Sequence, residues 1–110
     1  MSELLVEKPV KGEVELKIDV LTLKKAALVL RAINHKLRQQ ILKLIQQKGE
    51  ITVTEIYVKL RLEQSVASQH LAILRKAGFV QTNRDGKFIY YSVNDERLTQ
   101  VHLFAQQLLK

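Results

Sequence analysis

The chain has 110 residues, 46% apolar and 26% charged, a composition that fits one globular domain and argues against disorder. Eighteen lysines and arginines against eleven acids leave a net charge of +7, which favours a polyanionic partner. Cysteine is absent, which excludes disulfides, thiolate metal sites, iron–sulfur clusters, cysteine nucleophiles and thiol redox switches.

The longest apolar run, residues 26–30, is far short of the roughly 18 residues a membrane span needs. No signal-peptide pattern opens the chain, so the expectation is a soluble, cytoplasmic protein with no membrane partner. Residues 1–20 form an acidic arm: three lysines against five acids leave −2. Residues 21–110 hold fifteen basic and six acidic groups, a net of +9. Within the arm, Val14, Leu16, Ile18 and Val20 alternate with charged residues, the period of a half-buried strand. Pro9 and Gly12 precede it and break any helix there. Such a strand packs on the body or on a second subunit; the other reading is a loose arm.

From Leu21 the period becomes helical. Leu23, Ala27, Leu30 and Ile33 form the stripe of a first helix, which Asn34 and His35 interrupt. A second helix carries Leu37, Ile41, Leu44 and Ile45 and stops at Gly49. Thr52-Val53-Thr54-Glu55 has the spacing of a capping box and opens a short third helix with Val53, Ile56 and Leu60 inward. A fourth helix, with Ala67, Leu71 and Leu74 inward, ends at Gly78. The period then drops to two on either side of Asp85-Gly86, a hairpin signal in which both are central turn residues needing positive φ. Tyr90 and Tyr91 lie on opposite faces of the return strand. After Asn94 a last helix carries Leu98, Val101, Ala105 and Leu108 in a heptad-like seam.

A short helix, a turn, a second helix and a basic-tipped hairpin make a winged helix-turn-helix. The fold class is mainly α with a β-hairpin wing and five helices. The outward face of the fourth helix begins Gln64, Ser65, Ser68 and Gln69, short or amide side chains suited to base edges, with Val66 placed for a thymine methyl. Arg75 is better placed for a phosphate, and Arg84 and Lys87 at the wing suit a minor groove or its backbone. The same polar residues read equally as plain surface, but their clustering on one face favours readout. The last stripe, Leu98, Val101, Ala105 and Leu108, is expected to pack between subunits; the competing reading packs it on its own subunit. Arg31, Lys36, Arg38, Lys43 and Lys48 are either a solvated face or a DNA footprint. His35, His70 and His102 share no ligand spacing; His35 is expected to cap the second helix and His70 to pack at the edge of the fourth. No enzyme motif appears, and no cofactor is expected.

Residues 32–98 resemble the ArsR/SmtB family of winged-helix repressors. The resemblance rests on Arg38-x-x-Ile41-Leu42, Ile51-Thr52-Val53-Thr54-Glu55-Ile56, Gln64-Ser65-x-x-Ser68-Gln69-His70-Leu71-x-x-Leu74-Arg75-x-Ala77-Gly78-Phe79-Val80, Arg84-Asp85-Gly86-Lys87 and Tyr90-Tyr91-Ser92. It implies a homodimer built on the first and last helices, with Leu23, Ala27 and Leu30 joining Leu98, Val101, Ala105 and Leu108 at the interface, that represses an operator in double-stranded DNA and is released by an effector. The metal-sensing branch carries Cys-x-Cys where Thr52 and Thr54 stand, and neutral hydroxyls are poor soft-metal ligands. The zinc-sensing branch has Asp-x-His where Asp95 and Arg97 stand, with a further histidine where Leu108 stands; His102 lies between these positions. The resemblance therefore implies a regulator without the family's metal or redox switches. It also implies glycine where Arg61 stands and a serine cap where Glu63 stands. Arginine at the first position costs about 1 kcal/mol if the left-handed conformation is kept. A small ligand, a protein partner, pH acting on His102 and no inducer at all are each compatible with the sequence. The competing function is a winged-helix module that binds another protein through its last helix and acidic arm.

Overall fold

In this computed structural model the described residues are 5–6 and 17–110. Two short strands, β1 (Leu5–Val6) and β2 (Lys17–Ile18), pair antiparallel. The alternating arm thus pairs with an earlier piece of itself, while Val14 and Leu16 lie outside the described residues. The expected strand also ends sooner: Asp19 is an N-cap, its carboxylate accepting from the amides of Leu21 and Thr22, so Val20 is already helical.

Five helices follow: α1 (Val20–Ile33), α2 (Lys36–Lys48), α3 (Val53–Leu60), α4 (Gln64–Lys76) and α5 (Asp95–Leu108). Between α2 and α3 lies β3 (Ile51–Thr52), and between α4 and α5 lie β4 (Val80–Asp85) and β5 (Phe88–Val93). These three strands form an antiparallel sheet in the order β3-β5-β4. The third strand was not expected. Thr52 does two jobs: it pairs with Tyr90, and it caps α3 in the expected capping box, accepting from the Glu55 amide while Glu55 reaches back to the Thr52 amide.

One apolar cluster holds the body together. Ile41 and Ile45 of α2, Ile51, Ile56, Leu71 and Leu74 of α4, and Phe79 are all nearly inaccessible to water. Burying each such side chain contributes about 1.5–3 kcal/mol before entropy is counted. Among the described residues the core contains no polar or charged side chain. In α1, Ala32 is the buried residue, with Val29 and Ile33 packed beside it, while Leu23 and Ala27 point to solvent.

Both helices of the helix-turn-helix end in the same way. At α4, Gly78 (φ +87°) lets its amide reach the Arg75 carbonyl and lets the Phe79 amide reach Leu74, closing a Schellman motif. At α3 the same bonds run from Arg61 to Val58 and from Leu62 to Tyr57, but the left-handed residue is Arg61 (φ 56°, ψ 48°). The left-handed geometry is retained although the glycine is not. A side chain in this region costs about 1–2 kcal/mol, offset by about 0.5–1 that glycine would lose in backbone entropy. Arg61→Gly is therefore expected to raise the unfolding free energy by up to about 1 kcal/mol in denaturant titration. A less stable variant contradicts this account of the turn.

Candidate nucleic-acid interface

The site begins with the face of α4 that water does not see. Ala67, Leu71 and Leu74 sit at 4% exposure or less in the core, and helical geometry then turns Gln64, Ser65, Ser68 and Gln69 outward. All four are exposed, whereas Val66 is half-buried beside them. The first turn of α4 carries no acid, and Glu63 at the N-cap position makes no side-chain bond to the helix. The orphan amides and the positive end of the helix dipole are left for solvent or an anion. Arg75 is exposed in the last turn.

The wing corrects the expected turn by one residue. Asp85 is the last residue of β4 and pairs with Phe88, so the two-residue loop is Gly86-Lys87. Gly86 has φ +63°, and Lys87 is not in the positive region. Positive φ at the first central residue alone, with glycine there, is the pattern of a type II′ turn, not the type I′ that Asp-Gly suggests. Lys87 therefore sits at the tip itself, its ammonium 5.5 Å from the Phe88 ring centre. Arg84 lies one pair back, opposite Ile89, and its Nε donates to the Gly86 carbonyl at 3.3 Å. Both cations are exposed. Phe88 and Ile89 are 50% and 44% exposed, apolar surface on the wing that pattern reading overlooked. Tyr91 packs against the core and Tyr90 lies on the other face, as the alternation predicts.

Two arginines serve the scaffold instead of the surface. The Arg38 guanidinium donates to the carbonyls of Arg31 and Ala32 at the end of α1, and its Nε donates to His70 Nδ1 at 3.1 Å. It thus ties α1, α2 and α4 together. A tertiary contact across 32 positions leaves no periodic signal in the sequence. His35 caps α2 through a long 3.5 Å contact to the Arg38 amide, and its ring lies 4.9 Å from that of His70. The second arginine, Arg97, donates from Nε to the Ala77 carbonyl and lies over Gly78, where an added Cβ would stand 3.2 Å from it. It joins the start of α5 to the end of α4.

The positions that correspond to metal ligands in the resembled family are placed as follows. The Thr52 hydroxyl is engaged with Glu55, and Thr54 is exposed. Asp95 accepts from Gln46 at 2.9 Å, and His102 is exposed on α5. Among the described residues no three histidine, aspartate or glutamate side chains converge on a point fit for a metal ion.

The residues expected at a dimer face divide. Leu23, Ala27 and Leu108 are exposed, Leu30 and Ala105 half-buried, and Leu98 and Val101 pack on their own core. Further exposed apolar groups on α5, Leu103 and Phe104, were not anticipated. No helix among the described residues is long and apolar enough to cross a membrane.

Comparison with known proteins agrees with this geometry. Residues 35–82, from the start of α2 into the wing, match the model of bacterial regulatory proteins of the arsR family. Over 85 residues the chain is 34% identical to the transcriptional repressor PagR of Bacillus anthracis, covering 77% of this chain and 85% of PagR. The chain belongs to the arsR family. The crystal structure of PagR superimposes with a TM-score of 0.61 at 32% identity, covering 76% of this chain and 97% of PagR. The biofilm growth-associated repressor of Agrobacterium fabrum is 31% identical over 102 residues, 92% of this chain and 86% of that one. The transcriptional activator HlyU of Vibrio cholerae is 37% identical over 70 residues, 64% of each chain. This arsR-family protein is thus a winged helix-turn-helix transcriptional regulator and not an enzyme.

The Arg38–His70 contact makes a pH prediction. Burial, then the positive charges of His35 and Arg38, hold His70 below its ordinary pKa of 6.5, in the neutral form that accepts from Arg38. Above pH 6.5 folded and unfolded chains are both neutral there, so this contribution is fully present. As pH falls below 6.5 the unfolded chain takes the proton first, and stability declines until the folded-state pKa is passed. Denaturant titrations between pH 8 and 5 are expected to show this decline in the native protein and a shallower one in His70→Gln. Equal slopes contradict it.

Proposed function

We propose that this protein is a homodimeric, sequence-specific repressor that binds an operator in double-stranded DNA without the family's metal or redox switches. The observation that carries the reading is the row Gln64, Ser65, Ser68 and Gln69, exposed on the one helix whose opposite face is locked in the core. These side chains read base edges in the major groove, with Val66 at the rim of the contact. Arg75, Arg84 and Lys87 meet phosphates or the minor groove and supply salt-sensitive affinity. The relatives named as repressors, PagR and the biofilm growth-associated repressor, support the negative sign of regulation.

Dimerisation supplies the second half-site. Leu23, Ala27 and Leu30 of α1 and Leu98, Val101, Ala105 and Leu108 of α5 form the proposed face, with the unburied Leu108 and Leu103 in its favour. Two copies of α4 then meet half-sites about one helical turn, roughly 10 base pairs, apart. Residues 1–20 form an arm and 21–110 the DNA-binding unit.

In mobility-shift titration against its own upstream region, the protein is expected to prefer that DNA over a scrambled duplex. Ser68→Ala and Gln69→Ala are expected to weaken operator binding on the order of tenfold each. Arg84→Gln and Lys87→Gln are expected to weaken both duplexes alike and flatten the salt dependence. Leu23→Glu with Leu108→Glu should yield a folded monomer in sedimentation that binds one half-site weakly. Equal affinity for both duplexes, unchanged by the α4 substitutions, contradicts sequence-specific readout.

The side chains at the family's ligand positions support a regulator insensitive to metals. Arg97 carries a guanidinium engaged with Ala77, and Thr52 is a helix cap. Zinc, cadmium, nickel and arsenite are expected to leave operator affinity unchanged in chelator-controlled titrations. A stoichiometric metal that lowers affinity contradicts this.

A further inference from the structure

Helix α1 carries apolar side chains along two edges. Leu23 and Leu30 mark one; Leu21 and Leu28 mark the other, about 200° round the helix. The first edge faces α5, where Ala26, Leu30 and Phe104 line a depression of about 250 Å³ beside the proposed dimer face. The second edge faces α4. There Leu28, Val29 and Ala32 join Ile73 of α4 and its C-cap Ala77 to floor a second groove of about 430 Å³. Leu28 is 59% exposed and Ile73 39%, so two large apolar side chains stand in water at a site the DNA and dimer readings leave unused.

Two cations line the same groove: Lys25 of α1 and Lys76 of α4. Both side chains are exposed. This combination selects its occupant. A purely apolar surface laid over the groove would desolvate two ammonium groups without compensation. A cation would be repelled. A molecule with an apolar tail and one anionic head buries the first on the floor and pairs the second with the lysines. The geometry points to a binding site for an amphipathic carboxylate in the α1–α4 groove, its chain over Leu28 and Ile73 and its head group held by Lys25 and Lys76. Ile73 and Lys76 belong to the helix whose first turns carry the DNA-facing residues, so a ligand that favours one pose of α4 shifts operator affinity. That consequence rests on the proposed DNA reading; binding itself does not.

The test is a titration of the full chain, followed by methyl NMR and calorimetry, with decanoate, hexanoate and decanol as probes. Decanoate is expected to saturate one site per chain and to shift the methyl signals of Leu28 and Ile73. Shortening the tail is expected to weaken binding by up to about fourfold per buried methylene. Lys25→Gln with Lys76→Gln is expected to weaken decanoate about tenfold and leave decanol unchanged, with the remaining spectrum reporting an intact fold. The proposal is overturned if decanoate gives no saturable shift at these methyls, if decanol binds as tightly, or if the shifts fall on Leu30 and the Phe104 depression. Concentration-dependent changes at Leu28 and Ile73 without ligand would assign the groove to a second copy of the chain and overturn it as well.

Discussion

The working surface depends on how one helix is anchored. Ala67, Leu71 and Leu74 hold α4 in a core shared with Ile41, Ile45, Ile56 and Phe79. Phe79 is the hinge point of that anchor. Its amide closes the end of α4 on Leu74, its ring is fully buried, and its carbonyl accepts from Asn94, the residue that caps α5. The end of α4, the start of the wing and the start of the last helix are therefore tied to one residue. A side chain on the outer face of α4 has no freedom to turn inward without moving all three.

Arginine chemistry modifies the meaning of the charge. The body carries +9, but two of its arginines point at carbonyl oxygens. Arg38 satisfies the exposed end of α1, and Arg97 satisfies the C-cap of α4. Such sites suit a guanidinium, whose donors are fixed in a plane and whose charge complements the negative end of a helix. Their charge remains, but their donors are engaged inside the fold, whereas Arg75, Lys76, Arg84 and Lys87 are exposed at the end of α4 and on the wing. Arg97 also gives the family's ligand position a structural task. It packs over Gly78 and donates to the Ala77 carbonyl, and so couples α5 to α4.

Much of this was legible in the sequence because the elements repeat at their own periods. The inward residues of α2, α3 and α4 and the Thr52–Glu55 capping box follow from 3.6-residue spacing and cap chemistry; that Arg61 keeps the left-handed conformation was open until the structure showed it. Misses arose where local signals tie or where distance hides the contact. Asp85-Gly86 and Gly86-Lys87 are both acceptable turn centres, and pairing of Asp85 with Phe88 decides between them. In α1 two apolar edges compete, and only packing against α2 and α4 shows that Ala32 faces the core. β3 is two residues long and overlaps a cap, so it has no period to detect. The Arg38–His70 contact and the α1–α4 groove exist only in three dimensions.

In the proposed mode of binding the outer face of α4 specifies DNA while the wing and the helix end only hold it. Selection of bound fragments from a random DNA pool, run in parallel for the native chain and a variant with Gln64, Ser65, Ser68 and Gln69 all replaced by alanine, tests that claim most directly. The account predicts that the native chain enriches paired half-sites about 10 base pairs apart. The variant, folded because its core face is untouched, is predicted to retain salt-sensitive binding and enrich no motif. Enrichment of the same motif by both proteins would contradict it.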